Sequence, residues 1–100
     1  MPIQLNTNLT PEQAAFAVFL EERAPQMVRF WNWDTRCIQY SDIDVFLRTA
    51  SHGEALLLTF FVGVWEHRNH YDFDVFEAFK TLDEESLSIL RAWFNRPIWP

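Results

Sequence analysis

Apolar and polar positions recur with a helical period along most of this chain, and one run stands apart from the rest. Ser51 to His67 reads SHGEALLLTFFVGVWEH. Ser51 followed by Glu54 has the spacing of a capping box, in which the hydroxyl accepts from a first-turn N–H and the carboxylate reaches back to the cap, so a helix is predicted over about 52–67. Between Ala55 and Trp65 only Thr59 and Gly63 interrupt the apolar residues. At 100° per residue these two fall with Glu66 on one narrow stripe, and a helix apolar nearly all round has to be covered on nearly all sides. The pattern therefore predicts an all-α fold, a compact bundle of four to five helices around this central helix, with Leu57, Phe60, Phe61 and Val64 buried. Gly63 costs ~1 kcal/mol against Ala in a helix interior and is expected to face a second helix at close range.

The other elements follow from caps and breakers. Residues 1–9 read as an irregular arm. Thr10, Pro11 and Gln13 combine an N-cap, a proline at the first helical position and a Gln three residues after the cap, predicting a helix over 11–23 that ends before Pro25. Residues 26–40 allow a short helix (Met27 to Trp33) followed by a loop, or a hairpin turning at Asp34-Thr35; so short a run is not settled by periodicity, and helix then loop is the expectation. Ser41 with Asp44 has cap spacing and opens a helix over 42–50, with Ile43, Phe46 and Leu47 on one face. A further helix starts near Asp72 and carries Phe73, Val75, Phe76, Phe79 and Leu82. Asp83, with Glu84 and Glu85 behind it, matches the positive end of a helix dipole and opens the last helix, 84–95, which Pro97 stops. The string Asp-x-Asp-Val-Phe occurs at 42–46 and at 72–76, consistent with a duplicated helix-loop-helix unit or with shared capping chemistry.

Composition narrows the classes. One hundred residues make a single domain, and 49% hydrophobic with 17% aromatic content is far from the signature of disorder. Two glycines are too few for a sheet built of hairpins. The apolar run has eleven positions, whereas a membrane span needs about 20. The formal charge is −6, shared as −2 over residues 1–50 and −4 over 51–100. A negative field argues against direct nucleic-acid binding, which needs Lys and Arg clusters, and is compatible with a protein partner of basic surface as well as with simple solubility. Cys37 is the lone cysteine, so an internal disulfide is excluded; it reads as a small buried hydrophobe. The first residues, MPIQLNTNLT, show no basic or apolar segment of a secretory signal, and a cytoplasmic location is the expectation.

From Gly53 and Trp65 through Phe73, Asp74 and Val75, the stretch 52–85 resembles a group of small, uncharacterised bacterial helical domains often carried on mobile elements. A polar-Gly-polar start precedes an aromatic-rich helix ending in tryptophan, and a Phe-Asp-aliphatic start opens the next helix. The resemblance covers about a third of the chain and carries no assigned activity. It implies a prokaryotic or phage setting.

The densest polar cluster is Glu66, His67, His70, Asp72 and Asp74. Imidazoles and carboxylates together can hold a divalent ion, which makes His67, His70, Asp72 and Asp74 outside candidates for a metal or acid-base site, although helix capping explains each separately. A Cys37 thiolate with His52 or His67 would need hydrogen-bond reach, for which the sequence offers no support. No cofactor and no catalytic residue is implied. Trp31, Trp33, Tyr71 and Trp99 are the candidates for contact with a partner, with half-burial under a loop as the competing role of the first two and a fold-back of Trp99 beside the last helix as that of the tail. The expectation is a non-catalytic, acidic protein-interaction module, such as a mobile-element inhibitor of a host protein that handles nucleic acid. A homodimeric structural protein and a small metal-dependent enzyme centred on His67 and His70 are the alternatives.

Overall fold

A computed structural model of the chain describes residues 8–100; apart from Asn8 and Leu9, the expected N-terminal arm lies outside the described residues. Among the described residues, five α-helices, one 3-10 segment and a two-stranded ladder follow one another, so the fold is mostly helical rather than strictly all-α. α1 is Pro11–Arg23, opened by a full capping box between Thr10 and Gln13. Its inward residues Phe16, Ala17 and Leu20 are fully buried.

The 26–40 stretch combines the two readings. A 3-10 segment, Pro25–Phe30, gives way to β1 (Trp31–Asn32), which pairs antiparallel with β2 (Cys37–Ile38) through Trp31 opposite Ile38 and Asn32 opposite Cys37. The expected helix to Trp33 stops at Phe30. The side-chain oxygen of Asn32 accepts from the N–H groups of Asp34 (3.1 Å) and Thr35 (3.2 Å), a local turn that competes with helix. Period-two alternation then sends Trp31 and Ile38 inward. It also turns Cys37 outward, correcting the expectation of a buried thiol: Cys37 is exposed and donates to the Thr35 carbonyl at 3.3 Å.

α2 spans Tyr40–Thr49 and starts earlier than Ser41 predicts, with no side-chain cap; the Ile43 N–H donates to Gln39 instead. Ile43 is fully buried, and Phe46 packs its ring on Phe30 at 5.1 Å. α3, His52–Glu66, carries the predicted reciprocal cap between Ser51 and Glu54 and buries Leu56, Leu57, Leu58, Thr59, Phe61, Val62 and Val64. Phe60 is only half-buried, contrary to expectation, because its face of α3 borders a cleft. α4 is Val75–Thr81, beginning three residues after Asp72. Asp72 holds a left-handed backbone (φ 54°), and Asp74 is the cap, accepting from Phe76 and Glu77. The expected apolar face of this helix is rotated: Ala78 and Leu82 point inward, while Phe76 is 84% and Phe79 48% exposed. α5, Glu84–Asn95, begins at Asp83 as predicted and buries Ile89, Leu90 and Trp93.

The shared Asp-x-Asp-Val-Phe strings do not occupy equivalent places. Asp44 lies inside α2, whereas Asp74 is the cap of α4; Phe46 packs on the core, whereas Phe76 faces solvent.

Gly63 has a different role from the one its position suggests. A β-carbon there would lie 3.2 Å from the carbonyl oxygen of Arg68, which belongs to the chain reversing after α3 and not to a neighbouring helix. His67 adopts a left-handed backbone (φ 58°) and the Arg68 N–H donates to the Gly63 carbonyl at 3.1 Å, the hydrogen-bond pattern of a Schellman-type helix end.

Phe61 is fully buried, with rings of Phe16 (6.1 Å), Phe19 (5.9 Å) and Phe60 (5.1 Å) around it. Phe61→Ala should cost ~3–5 kcal/mol through lost transfer and the cavity left, seen as a lower urea midpoint; an unchanged midpoint would show that this ring does not hold the helices together. Gly63→Leu should destabilise by ~1–3 kcal/mol through overpacking, in spite of leucine's better helix propensity. A higher melting temperature for that variant would mean that the reversal is not tight.

Candidate functional site

The stripe of Thr59, Phe60, Gly63 and Val64 on α3, with His67 just past its end, forms one wall of an open cleft of about 440 Å³. Trp93 and Phe94 of α5, Phe73 from the loop before α4, and Trp99 of the tail complete it, with Arg68 and Asn69 at the reversal. Sequence reasoning singled out Trp99 but not Phe60, Phe73, Trp93 or Phe94 as a group. The available signal was the Thr59 and Gly63 stripe, where a small and a polar residue interrupt an apolar helix and leave room beside it.

Phe60 is the hub of the aromatic lining, with ring centroids 5.2 Å from Phe73, 5.2 Å from Trp93 and 5.7 Å from Phe94. Trp99 stands edge-on to Trp93 at 5.0 Å and to the His67 imidazole at 6.0 Å. The tail is pinned by the Trp93 indole N–H, which donates to the Ile98 carbonyl at 3.2 Å. Trp99 thus folds back and also remains 55% exposed, and Phe94 is 45% exposed. These two edges form the mouth.

The polar groups of the cleft are occupied elsewhere. Thr59 donates to the Leu56 carbonyl at 3.1 Å. The Asn69 amide clamps Phe73 from both sides, accepting from its N–H at 2.6 Å and donating to its carbonyl at 2.9 Å. What the cleft offers a visitor is apolar surface with a few aromatic edges, and its volume is in the range of small ligand pockets.

The polar residues of 66–74 do not converge. His67 faces Trp99, while His70 lies 2.9 Å from an Arg68 guanidinium nitrogen and packs against Tyr40 and Tyr71. Asp74 is used as the α4 cap, and Asp72 shapes the loop. Among the described residues no group of three or more His, Cys, Asp or Glu side chains is placed to hold a metal ion. His52 contacts Glu77 at 3.0 Å, and Cys37 donates to Thr35. The His52 contact draws the Glu77 carboxyl below its ordinary pKa.

Two tyrosines tether the end of α3 and the loop after it to α2. The Tyr40 hydroxyl donates to Glu66 at 2.5 Å, and Tyr71 donates to Asp44 at 3.4 Å. Burial, then the Glu66 hydrogen bond and charge, push the Tyr40 phenol up to about 12; burial and Asp44 raise Tyr71. A phenol held protonated so far above neutrality is a hydrogen-bond donor and not a proton acceptor.

Of the remaining aromatic candidates, Trp31 lies in the core. It is 3% exposed, stacked on Trp33 at 5.7 Å and set among Phe16 (5.8 Å) and Trp65 (6.1 Å). Trp33 is half-buried under the hairpin and donates to the Val28 carbonyl at 3.3 Å. Tyr71 is half-buried in the tether just described.

No helix among the described residues is long and apolar enough to cross a membrane. The chain matches no family model, no curated protein and no solved structure.

The Tyr40 geometry sets a pH dependence. Because its folded pKa lies above the unfolded value near 10, its contribution to stability is full below about pH 10 and is lost as the pH rises toward 12. Phenolate absorbance should show a tyrosine titrating close to 12 in the native protein. Tyr40→Phe should remove that step and flatten the alkaline fall in stability, while a normal titration of both tyrosines would contradict the tether.

Proposed function

We propose that this chain is a non-catalytic protein-interaction module that binds through its aromatic cleft, taking one bulky apolar side chain of a polypeptide partner. The observation that carries this reading is the open arrangement of Phe60, Phe73, Trp93, Phe94 and Trp99, whose rings contact one another yet leave about 440 Å³ uncovered. Large apolar side chains seated in well-packed pockets supply most of the affinity at protein interfaces, and aromatic residues are enriched there. The cleft presents no convergent acid, base and nucleophile, the geometry that an enzyme reading would use.

Charge divides the surface into two roles. Among the described residues that line the cleft there is no carboxylate, and the Arg68 guanidinium is turned to His70. The chain as a whole carries −6, which suits a partner whose broader surface is basic. In the mobile-element setting that the resemblance implies, a host protein that handles nucleic acid is the target class of that outer surface.

The direct test uses N-acetylphenylalanine amide as a probe titrated into isotope-labelled protein. Amide and ring signals of Phe60, Phe73, Trp93 and Trp99 should shift together and saturate in the millimolar range, and Phe94→Arg should abolish the effect without lowering the melting temperature. Absence of any shift up to the solubility limit of the probe would remove the anchor-cleft reading.

A further inference from the structure

We infer that the Arg68–His70 contact is a proton-operated switch on the cleft: in acid His70 releases the Arg68 guanidinium to the mouth, and the cleft then favours a side chain with an acidic neighbour. The inference rests on the anchor-cleft reading above. An Arg68 guanidinium nitrogen lies 2.9 Å from His70 Nδ1. A guanidinium offers only N–H donors and stays charged at any pH a folded protein meets. Nδ1 is therefore the acceptor, which requires the neutral imidazole with its proton on Nε2. Once Nδ1 is protonated it has no lone pair to offer, and two cations face each other across the same gap. Both side chains are exposed, so the guanidinium is free to leave.

The surroundings decide which partner moves. The His70 ring packs at 4.7 Å on Tyr71, its neighbour in the loop, and at 5.3 Å on Tyr40 of α2. The Tyr40 hydroxyl donates to Glu66 at the end of α3 and the Tyr71 hydroxyl to Asp44 of α2. The titratable groups about the imidazole are thus two phenols, each leading to a carboxylate, with Arg68 as the cation in contact. A protonated His70 is held where it is, by aromatic rings that attract a cation and by the two carboxylates behind them. Arg68 has no such hold, since among the described residues it forms no ion pair. Its N–H stays on the Gly63 carbonyl at 3.1 Å, so the side chain moves and the backbone does not, and Arg68 already lines the cleft. His67 is the second imidazole at the mouth, and a test has to separate the two.

Two probes that differ in charge alone provide it: neutral N-acetylphenylalanine amide, and N-acetylphenylalanine, whose carboxylate stays ionised across the range in which imidazoles change charge, pH 5 to 8. Both are titrated into the isotope-labelled full chain across that range. The affinity of the anionic probe relative to the neutral one should rise about threefold or more as the pH falls, the order expected of one added cation close to a carboxylate in water. His70→Gln offers Arg68 an amide oxygen that accepts at every pH, and should cut this rise while leaving the neutral probe's affinity unchanged, since His70 does not line the cleft. Arg68→Gln, which removes the moving cation, should cut it too; what persists in both variants is the share of His67. A ratio that stays flat with pH overturns the inference, as does one that rises equally in His70→Gln. If the neutral probe binds but the ratio is flat, only the switch is lost; if the neutral probe binds at no pH, the cleft reading beneath it fails.

Discussion

The hydrogen bond from the Arg68 N–H to the Gly63 carbonyl, closed over a β-carbon-free surface, is the constraint on which the functional half of this molecule depends. It reverses the chain at the end of α3 and lays residues 67–69 back across the helix. From that reversal His67 is directed at Trp99, Asn69 is placed to clamp Phe73, and Glu66 and Tyr71 come within reach of α2. A side chain at 63 would press on the Arg68 carbonyl at 3.2 Å, and backbone cannot swing aside as the end of a flexible side chain does. Helix propensity is lowered there so that the following loop can be held close.

Nine of the seventeen aromatic residues form two assemblies with different fates. Phe16, Trp31, Trp33 and Trp65 form a closed cluster, covered by α1 on one side and by the short hairpin on the other. Phe60, Phe73, Trp93, Phe94 and Trp99 make similar edge-to-face contacts, each worth about 0.5–1.5 kcal/mol beyond area burial, but lack a lid. The difference lies in α4. With seven residues it is two turns long, and it inserts only Ala78 fully into the core; its own rings turn outward. A small residue at that contact brings α4 close to α3 without filling the space beside Phe60.

Ionisable groups in this fold act as fasteners. Glu54 and Asp83 are drawn below their ordinary pKa by the backbone N–H groups they cap or by the caps they complete, and Tyr40 and Tyr71 are raised as donors to carboxylates. Each shift has a structural partner that explains it. None of these groups faces into the cleft, so the place with room for a visitor and the places with perturbed acidity are separate, an arrangement suited to binding and not to proton transfer.

The chain by itself determined the elements whose signals are local. Thr10, Ser51 and Asp83 place three helix starts to the residue, because a cap is a hydrogen bond between groups three positions apart and needs nothing else. Of the four residues that the apolar run of α3 marked for burial, Leu57, Phe61 and Val64 are buried and Phe60 is half-buried. Where the outcome depended on distant partners, local reading went astray. Helix then loop was expected for 26–40, yet Asn32 diverts the chain into a ladder whose alternation buries Trp31 and exposes Cys37. Asp72 and Asp74 are equally plausible caps in sequence, and the Asn69 clamp on Phe73 selects the second. Phe76 and Ala78 belong to one short helix, and which of them turns inward was decided by the surface of α3, not by hydrophobicity, since the larger ring is the exposed one. The cleft was beyond sequence reading for the same reason: its walls come from four segments, and a void is a property of how helices of fixed shape fit together, which no single stretch of residues encodes.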